Sequence, residues 1–97
     1  MSTLENIEHH PERHRFEVQS QGHTAYEEYF FIPEGVVFAH TIVPPELGGR
    51  GLAGRIVQHA LNWARQEGLK VRPDCSYVAA YFDKHPEYAD LRLPAIH

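Results

Sequence analysis

Residues 48–54 read Gly-Gly-Arg-Gly-Leu-Ala-Gly, and the apolar stripe of a helix begins inside them. The first N–H groups of a helix have no partner within it, and its dipole places positive potential at that end. Without side chains at Gly49 and Gly51, backbone amides can come close to a phosphate, so a diphosphate is the natural ligand. The plainer reading is a tight turn that lets the helix pack on a sheet. Residues 49–54 also match G-x-G-x-x-G, but a dinucleotide fold would put that turn after its first strand and an acidic residue about 20 positions later. Three strands precede this turn, Glu67 lies within the helix, and too little chain remains beyond it to build the rest of such a sheet. No Lys-Ser/Thr pair comes after the glycines either, which excludes an ATP-type phosphate loop.

Four other side chains can do chemistry. Cys75, the only cysteine, stands where a short strand gives way to the last helix. A helix N-terminus there would lower its thiol pKa and make it a nucleophile, unless it is simply a small buried hydrophobe. His40 is the general-base candidate, because an imidazole titrates near neutral pH; a core histidine is the alternative. Tyr77 and Tyr81, four apart, share one helix face and carry phenol hydroxyls, with core aromatics bearing a polar tip as the plain reading.

These residues need elements to hold them. Residues 15–19 alternate polar and apolar, residues 21–23 make a turn, and 24–32 and 36–43 are strands rich in aromatic and β-branched residues. Strict alternation puts Val36, Phe38, His40 and Ile42 on one face, and Val37, Ala39, Thr41 and Val43 on the other. Leu52, Ala53, Ile56, Val57, Ala60, Leu61 and Ala64 then recur at helical spacing, with Trp63 assigned to the core and Gly68 as the stop. Residues 69–72 form a short strand, and Asp74 or Ser76 caps a helix running through Val78, Tyr81 and Phe82. Pro86 opens a further turn of helix. The order β-β-β-α-β-α predicts an α+β domain, an antiparallel meander leading into β-loop-α-β-α.

With 97 residues there is room for one domain, spanning 1–97. A net charge of −4 argues against a nucleic-acid partner, which needs a basic surface. No apolar run approaches the ~20 residues that span a bilayer, and residues 1–6 lack the pattern of a signal peptide. The eight histidines show no metal-ligand spacing, so most read as surface residues and no metal is expected. One cysteine allows no internal disulfide, and a cytoplasmic monomer or weak homodimer is the expectation.

The strand running into Val43-Pro44-Pro45, with Gly48-Gly49-Arg50-Gly51-Leu52-Ala53 after it, resembles the acetyl-CoA pyrophosphate loop of the GNAT superfamily. That loop reads Arg/Gln-x-x-Gly-x-Gly/Ala; Gly51 and Ala53 match its last two fixed positions, and Gly48 stands where Arg or Gln is usual. His40-Thr41, Gly68-Leu69-Lys70-Val71, Cys75-Ser76-Tyr77-Val78 and His85-Pro86-Glu87-Tyr88 resemble a compact, single-domain branch of it, over roughly residues 12–92. The resemblance implies a truncated GNAT-like fold in which the strand before the loop splays from the next parallel strand. It implies acetyl-CoA as cosubstrate, with Ile42 and Val43 touching the pantetheine arm and Leu47, Gly48, Gly49, Arg50, Gly51, Leu52 and Ala53 meeting the diphosphate. Arg50 and Arg55 would reach the diphosphate or the 3′-phosphate, or else belong to a solvated helix surface. It also implies that Cys75 faces the thioester and that Tyr77 or Tyr81 protonates the departing thiolate. Ile42 stands where many relatives carry an acidic residue.

Three functions are compatible with the sequence. An N-acetyltransferase would move an acetyl group from acetyl-CoA to a primary amine, whether of a small molecule, a polyamine or a lysine side chain. A CoA-binding module would hold the cofactor without efficient turnover. A plain α+β interaction domain would have its glycine loop by coincidence.

Overall fold

A computed structural model of the chain describes residues 6–94. Strands β1 (Glu8–His10), β2 (Arg15–Ser20), β3 (His23–Ile32), β4 (Gly35–Ile42) and β5 (Lys70–Pro73) form one sheet in the order β1-β2-β3-β4-β5. The first four are antiparallel neighbours, and β4 and β5 run parallel. Helix α1 (Leu52–Gln66) makes the crossover between β4 and β5, and α2 (Ser76–Lys84) comes after β5. The α+β class read from the sequence is the class of the fold. Strand β1 had no sequence signal: three polar residues offer no alternation to read.

The local chemistry explains the elements. Gln21 and Gly22, both at positive φ, close the β2–β3 hairpin in two residues, the turn that matches strand twist. Leu52, Ile56, Val57, Ala60, Leu61 and Ala64 are the buried residues of α1, the predicted stripe except for half-buried Ala53. They pack on the sheet face that carries Phe16, Val18, Ala25, Tyr29, Val36, Phe38 and Val71. At roughly 25 cal/mol per Å² of apolar surface, this contact is the main force holding the domain together. Trp63 lies against it among His9, Phe16, Tyr29 and Phe31. His9 is therefore no surface residue: it stacks on Phe16 at 4.1 Å and is hydrogen-bonded through Nε2 to the Tyr29 hydroxyl at 2.6 Å.

Two irregularities in β4 shape the surface beside it. Glu28 pairs with His40 and Tyr29 with Phe38, so Ala39 is an extra residue, a β-bulge. One inserted residue reverses which side chains face the core. Thr41 pairs with Glu27 and so joins Phe38 on the α1 side, while His40 and Ile42 share the opposite face with Val37. The face assignment expected from strict alternation is thereby corrected beyond Phe38. The second irregularity is that β4 and β5 pair only from Gly35↔Lys70 to Phe38↔Pro73. Pro73 has no N–H to continue the ladder. One further bond, from the Cys75 amide to the Phe38 carbonyl at 3.2 Å, closes the pairing, and the strands then part.

Candidate active site

The parting of β4 and β5 leaves a notch with residues 39–42 along one wall and Cys75 at its apex. Cys75, rather than Asp74 or Ser76, is the N-cap of α2, and Asp74 is engaged with Arg72 at 2.9 Å. At a cap the side chain lies beside the unpaired amides of the first helical turn. Burial pushes the half-buried thiol up, but its hydrogen bond with the Thr41 hydroxyl and those with the amides of Val78, Tyr77 and Thr41 outweigh it. The net direction is down from the usual thiol value, as expected of a reactive cysteine.

Sγ lies 3.3 Å from Thr41 Oγ1, which is hydrogen-bonded in turn to Glu27 Oε1. Glu27 is fully buried, and among the described residues its second oxygen, Oε2, has no hydrogen-bond partner. Burial drives this carboxyl up to about 9, against the opposing pull of Thr41, so it is a neutral acid at pH 7. Glu27 and Thr41 were not singled out in the sequence. The signal was there in the spacing: Ala25, Glu27 and Tyr29 occupy the core face of one strand, and a carboxyl in that series is out of place.

The start of α1 forms the second part of the site. Gly51 is its N-cap at φ 71° and brings no side chain to cap the first amides, and the first turn holds no acidic residue. A Cβ added at Gly49 or Gly51 would meet nothing within 4 Å, so the backbone here is bare to open space. Between this end and α2 lies a groove of about 470 Å³, lined by Gly51, Gly54, Arg55, Tyr77, Tyr81 and Lys84, among others. The Tyr77 hydroxyl is 3.4 Å from where a Gly54 Cβ would sit, so Gly54 leaves that hydroxyl its place. Tyr81 is largely buried and stacks on His85 with ring centroids 3.8 Å apart. Burial pushes its hydroxyl above the ordinary phenol value.

The residues expected from the sequence fall into groups. Cys75 with Thr41, and Tyr77, Tyr81, Gly51 and Arg55 around the groove, are brought together. Leu47 and Leu52 turn their side chains into the core and can offer a ligand only backbone. Gly48, Gly49 and Arg50 form the exposed surface ahead of α1, and an Arg50 Nη1 donates to Ser20 Oγ at 3.3 Å. Ala53 is half-exposed in the first turn of α1. Ile42 is 43 % exposed on the outer face, and Val43 packs against the core. His40, exposed and paired with Glu28, lies on the face of β4 opposite to Thr41.

Residues 15–91 match the family model described as GCN5-related N-acetyl-transferase. Protein NATD1 of Mus musculus is 31 % identical over 83 residues, which cover 82 % of this chain and 76 % of that protein. The Danio rerio protein of the same name is 28 % identical over 98 residues, with 96 % and 89 % covered. A solution structure of a GCN5-like putative N-acetyltransferase from Staphylococcus aureus superposes with a TM-score of 0.75 over 99 % of this chain and 95 % of that one. At 24 % identity that likeness is one of fold. The family match takes in the sheet from β2 to β5 and both helices, and with it the notch and the groove. By that match, the chain belongs to the GCN5-related N-acetyltransferase family.

Proposed function

We propose that the protein is an acetyl-CoA-dependent N-acetyltransferase that carries the acetyl group on Cys75. The observation that supports this best is the position of Cys75, at the apex of the notch with amides of both walls turned toward its sulfur. A thiolate held there attacks the thioester carbon, and the bond to the CoA sulfur breaks. A hydroxyl of Tyr77 or Tyr81 protonates the departing sulfur. The amine then attacks the acetyl-cysteine, its proton returns to the tyrosine, and the Cys75 sulfur is released. An amine arriving from the outer face meets His40, whose imidazole can hold a proton in transit. A backbone amide of residues 42–43 would polarise the thioester carbonyl, with the electrostatic logic of an oxyanion hole.

The cofactor fits what is present. Its diphosphate would meet the uncapped amides at the start of α1, beside Gly49, Gly51 and the Arg50 side chain. Arg55 and Lys84, on the groove, suit the remaining phosphate. When bound, acetyl-CoA supplies an activated acyl group, and the protein supplies position and charge stabilisation.

The test is thiol release from acetyl-CoA with a panel of primary amines, alongside mass spectrometry of the protein mixed with acetyl-CoA alone. An acetyl adduct on the Cys75 peptide is expected, and Cys75→Ala should lower kcat by roughly 10³-fold or more. Turnover unchanged in that variant would show direct transfer without a cysteine intermediate. Tight CoA binding with no turnover would mark a binding module, the reading favoured by Gly48 and Ile42 standing at departures from the family pattern.

A further inference from the structure

We infer that Glu27 is a positioning acid for Cys75: it keeps its own proton, donates it to Thr41 Oγ1, and thereby turns the Thr41 hydroxyl hydrogen onto the cysteine sulfur. The three groups stand in line, carboxyl to hydroxyl to thiol, with Sγ 3.3 Å from Thr41 Oγ1 and Thr41 bonded to Glu27 Oε1. A threonine hydroxyl has a single hydrogen to give. Whichever neighbour receives it decides what the other must be.

Two arrangements share the same single negative charge. In one, Glu27 is ionised, Thr41 donates to it, and the thiol keeps its proton. In the other, Glu27 is neutral and donates to Thr41, Thr41 donates to sulfur, and Cys75 is a thiolate. The thiol proton leaves to water at the mouth of the notch, and Glu27 holds the proton that it would otherwise have released. Where the pair carries that one charge, the surroundings place it on sulfur. Glu27 is 0 % exposed on a core face whose strand neighbours are Ala25 and Tyr29, and among the described residues Oε2 has no donor to stabilise a charge. A carboxylate there would be buried with one hydrogen bond, at a cost of several kcal/mol. The half-buried sulfur has the amides of Tyr77, Val78 and Thr41. A neutral acid protonated on Oε1 also leaves only a carbonyl oxygen unpartnered at Oε2, which interiors tolerate better than an orphaned donor.

The neighbouring charges do not reverse this. On β3, Glu28 faces the other side of the sheet and its charge further disfavours ionisation of Glu27. On β4, His40 shares the face of Glu28, and on β5 Arg72 is bonded to Asp74, the residue just beyond the strand. From α2, the side chains of Tyr77 and Lys84 line the groove, and Lys84 is at the opposite end of the helix from Cys75.

The inference rests on Cys75 as the nucleophile only for its consequence in acetyl transfer, and it is tested without acetyl-CoA. Because Cys75 is the only cysteine, its thiolate fraction is read by the pH dependence of iodoacetamide alkylation on the intact protein. Thr41→Val removes the linking hydroxyl and should slow alkylation at pH 7 by roughly tenfold, a thiol shift of about one pKa unit. Thr41→Ser should restore the wild-type profile. Glu27→Gln, whose amide still donates, should stay within about twofold of wild type, whereas Glu27→Met should match Thr41→Val. A protonated-carboxyl C=O stretch present at pH 7 in wild type and missing in Glu27→Gln would place the proton directly. A wild-type profile for Thr41→Val would overturn the inference, as would Glu27→Gln slowing alkylation as much as Glu27→Met, since Glu27 would then act as an ionised base. The two readings fail separately: loss of acetyl transfer in every variant leaves the alkylation result untouched, and a flat alkylation series leaves turnover standing.

Discussion

Glu27 sets a stability cost as well as a thiol environment. In the unfolded chain its carboxyl titrates near the ordinary value of 4.5, whereas folding pushes it up to about 9 by burial. Below pH 4.5 both states are protonated and no penalty arises. Above it the unfolded chain releases a proton that the folded chain keeps, so this residue's contribution to stability falls as pH rises toward 9. Glu27→Gln removes that dependence. The melting temperature of Glu27→Gln relative to wild type should therefore rise steadily between about pH 5 and pH 8.5, by on the order of a few kcal/mol in stability. A constant gap across that range would show that Glu27 is already ionised in the folded protein. His9 has the opposite sign, since burial lowers its imidazole and stability is lost as pH falls through the histidine range. It is present in both proteins and cancels from the comparison. His9 and Glu27 both escaped the sequence reading for one reason: a polar residue in a core is recognised only when the face it occupies is known.

Among the elements, α1 was legible almost residue by residue, because its apolar period has no competing explanation. Strand β4 was legible in existence but not in facing. No alternation rule announces the extra residue at Ala39, and that residue carries Thr41 to the cysteine and His40 away from it. Strand β5 was read as ending at Arg72, yet it is Pro73, within the strand, that ends the pairing and opens the notch. Gly35 shows what holds the two strands together before they part. It has φ 153°, and a Cβ there would lie 2.2 Å from the Lys70 carbonyl oxygen, a backbone atom that cannot move aside. Gly35→Ala should therefore cost about 3 kcal/mol or more, read as a loss of at least about 10 °C in melting temperature. A variant that melts within a few degrees of wild type would show that β4 and β5 can separate at little cost.

For the whole molecule, the family and the fold class were legible because the loop, the helix and the cysteine lie in one order along 97 residues. The proton arrangement was not, since it depends on three residues from three elements meeting at one point. Binding of CoA is the property that tests the groove and the start of α1 together. A ligand that binds only the folded state at about 100 times its Kd adds about 2.7 kcal/mol, so a domain of this size should melt about 10 °C higher or more. Adenosine alone, lacking the phosphates, should do far less. No shift with CoA at millimolar concentration would remove the anion-binding reading of that helix end. The margins of the sheet carry a last consequence. β1 is three residues long and carries the Glu8–His10 hydrogen bond, while the free side of β5 is covered where the Leu93 amide reaches the Val71 carbonyl at 2.7 Å. Short, charged or covered borders discourage strand-to-strand polymerisation between molecules. Within the described residues, an extended guest seeking main-chain partners is thus directed away from the rims and toward the cleft where β4 and β5 part.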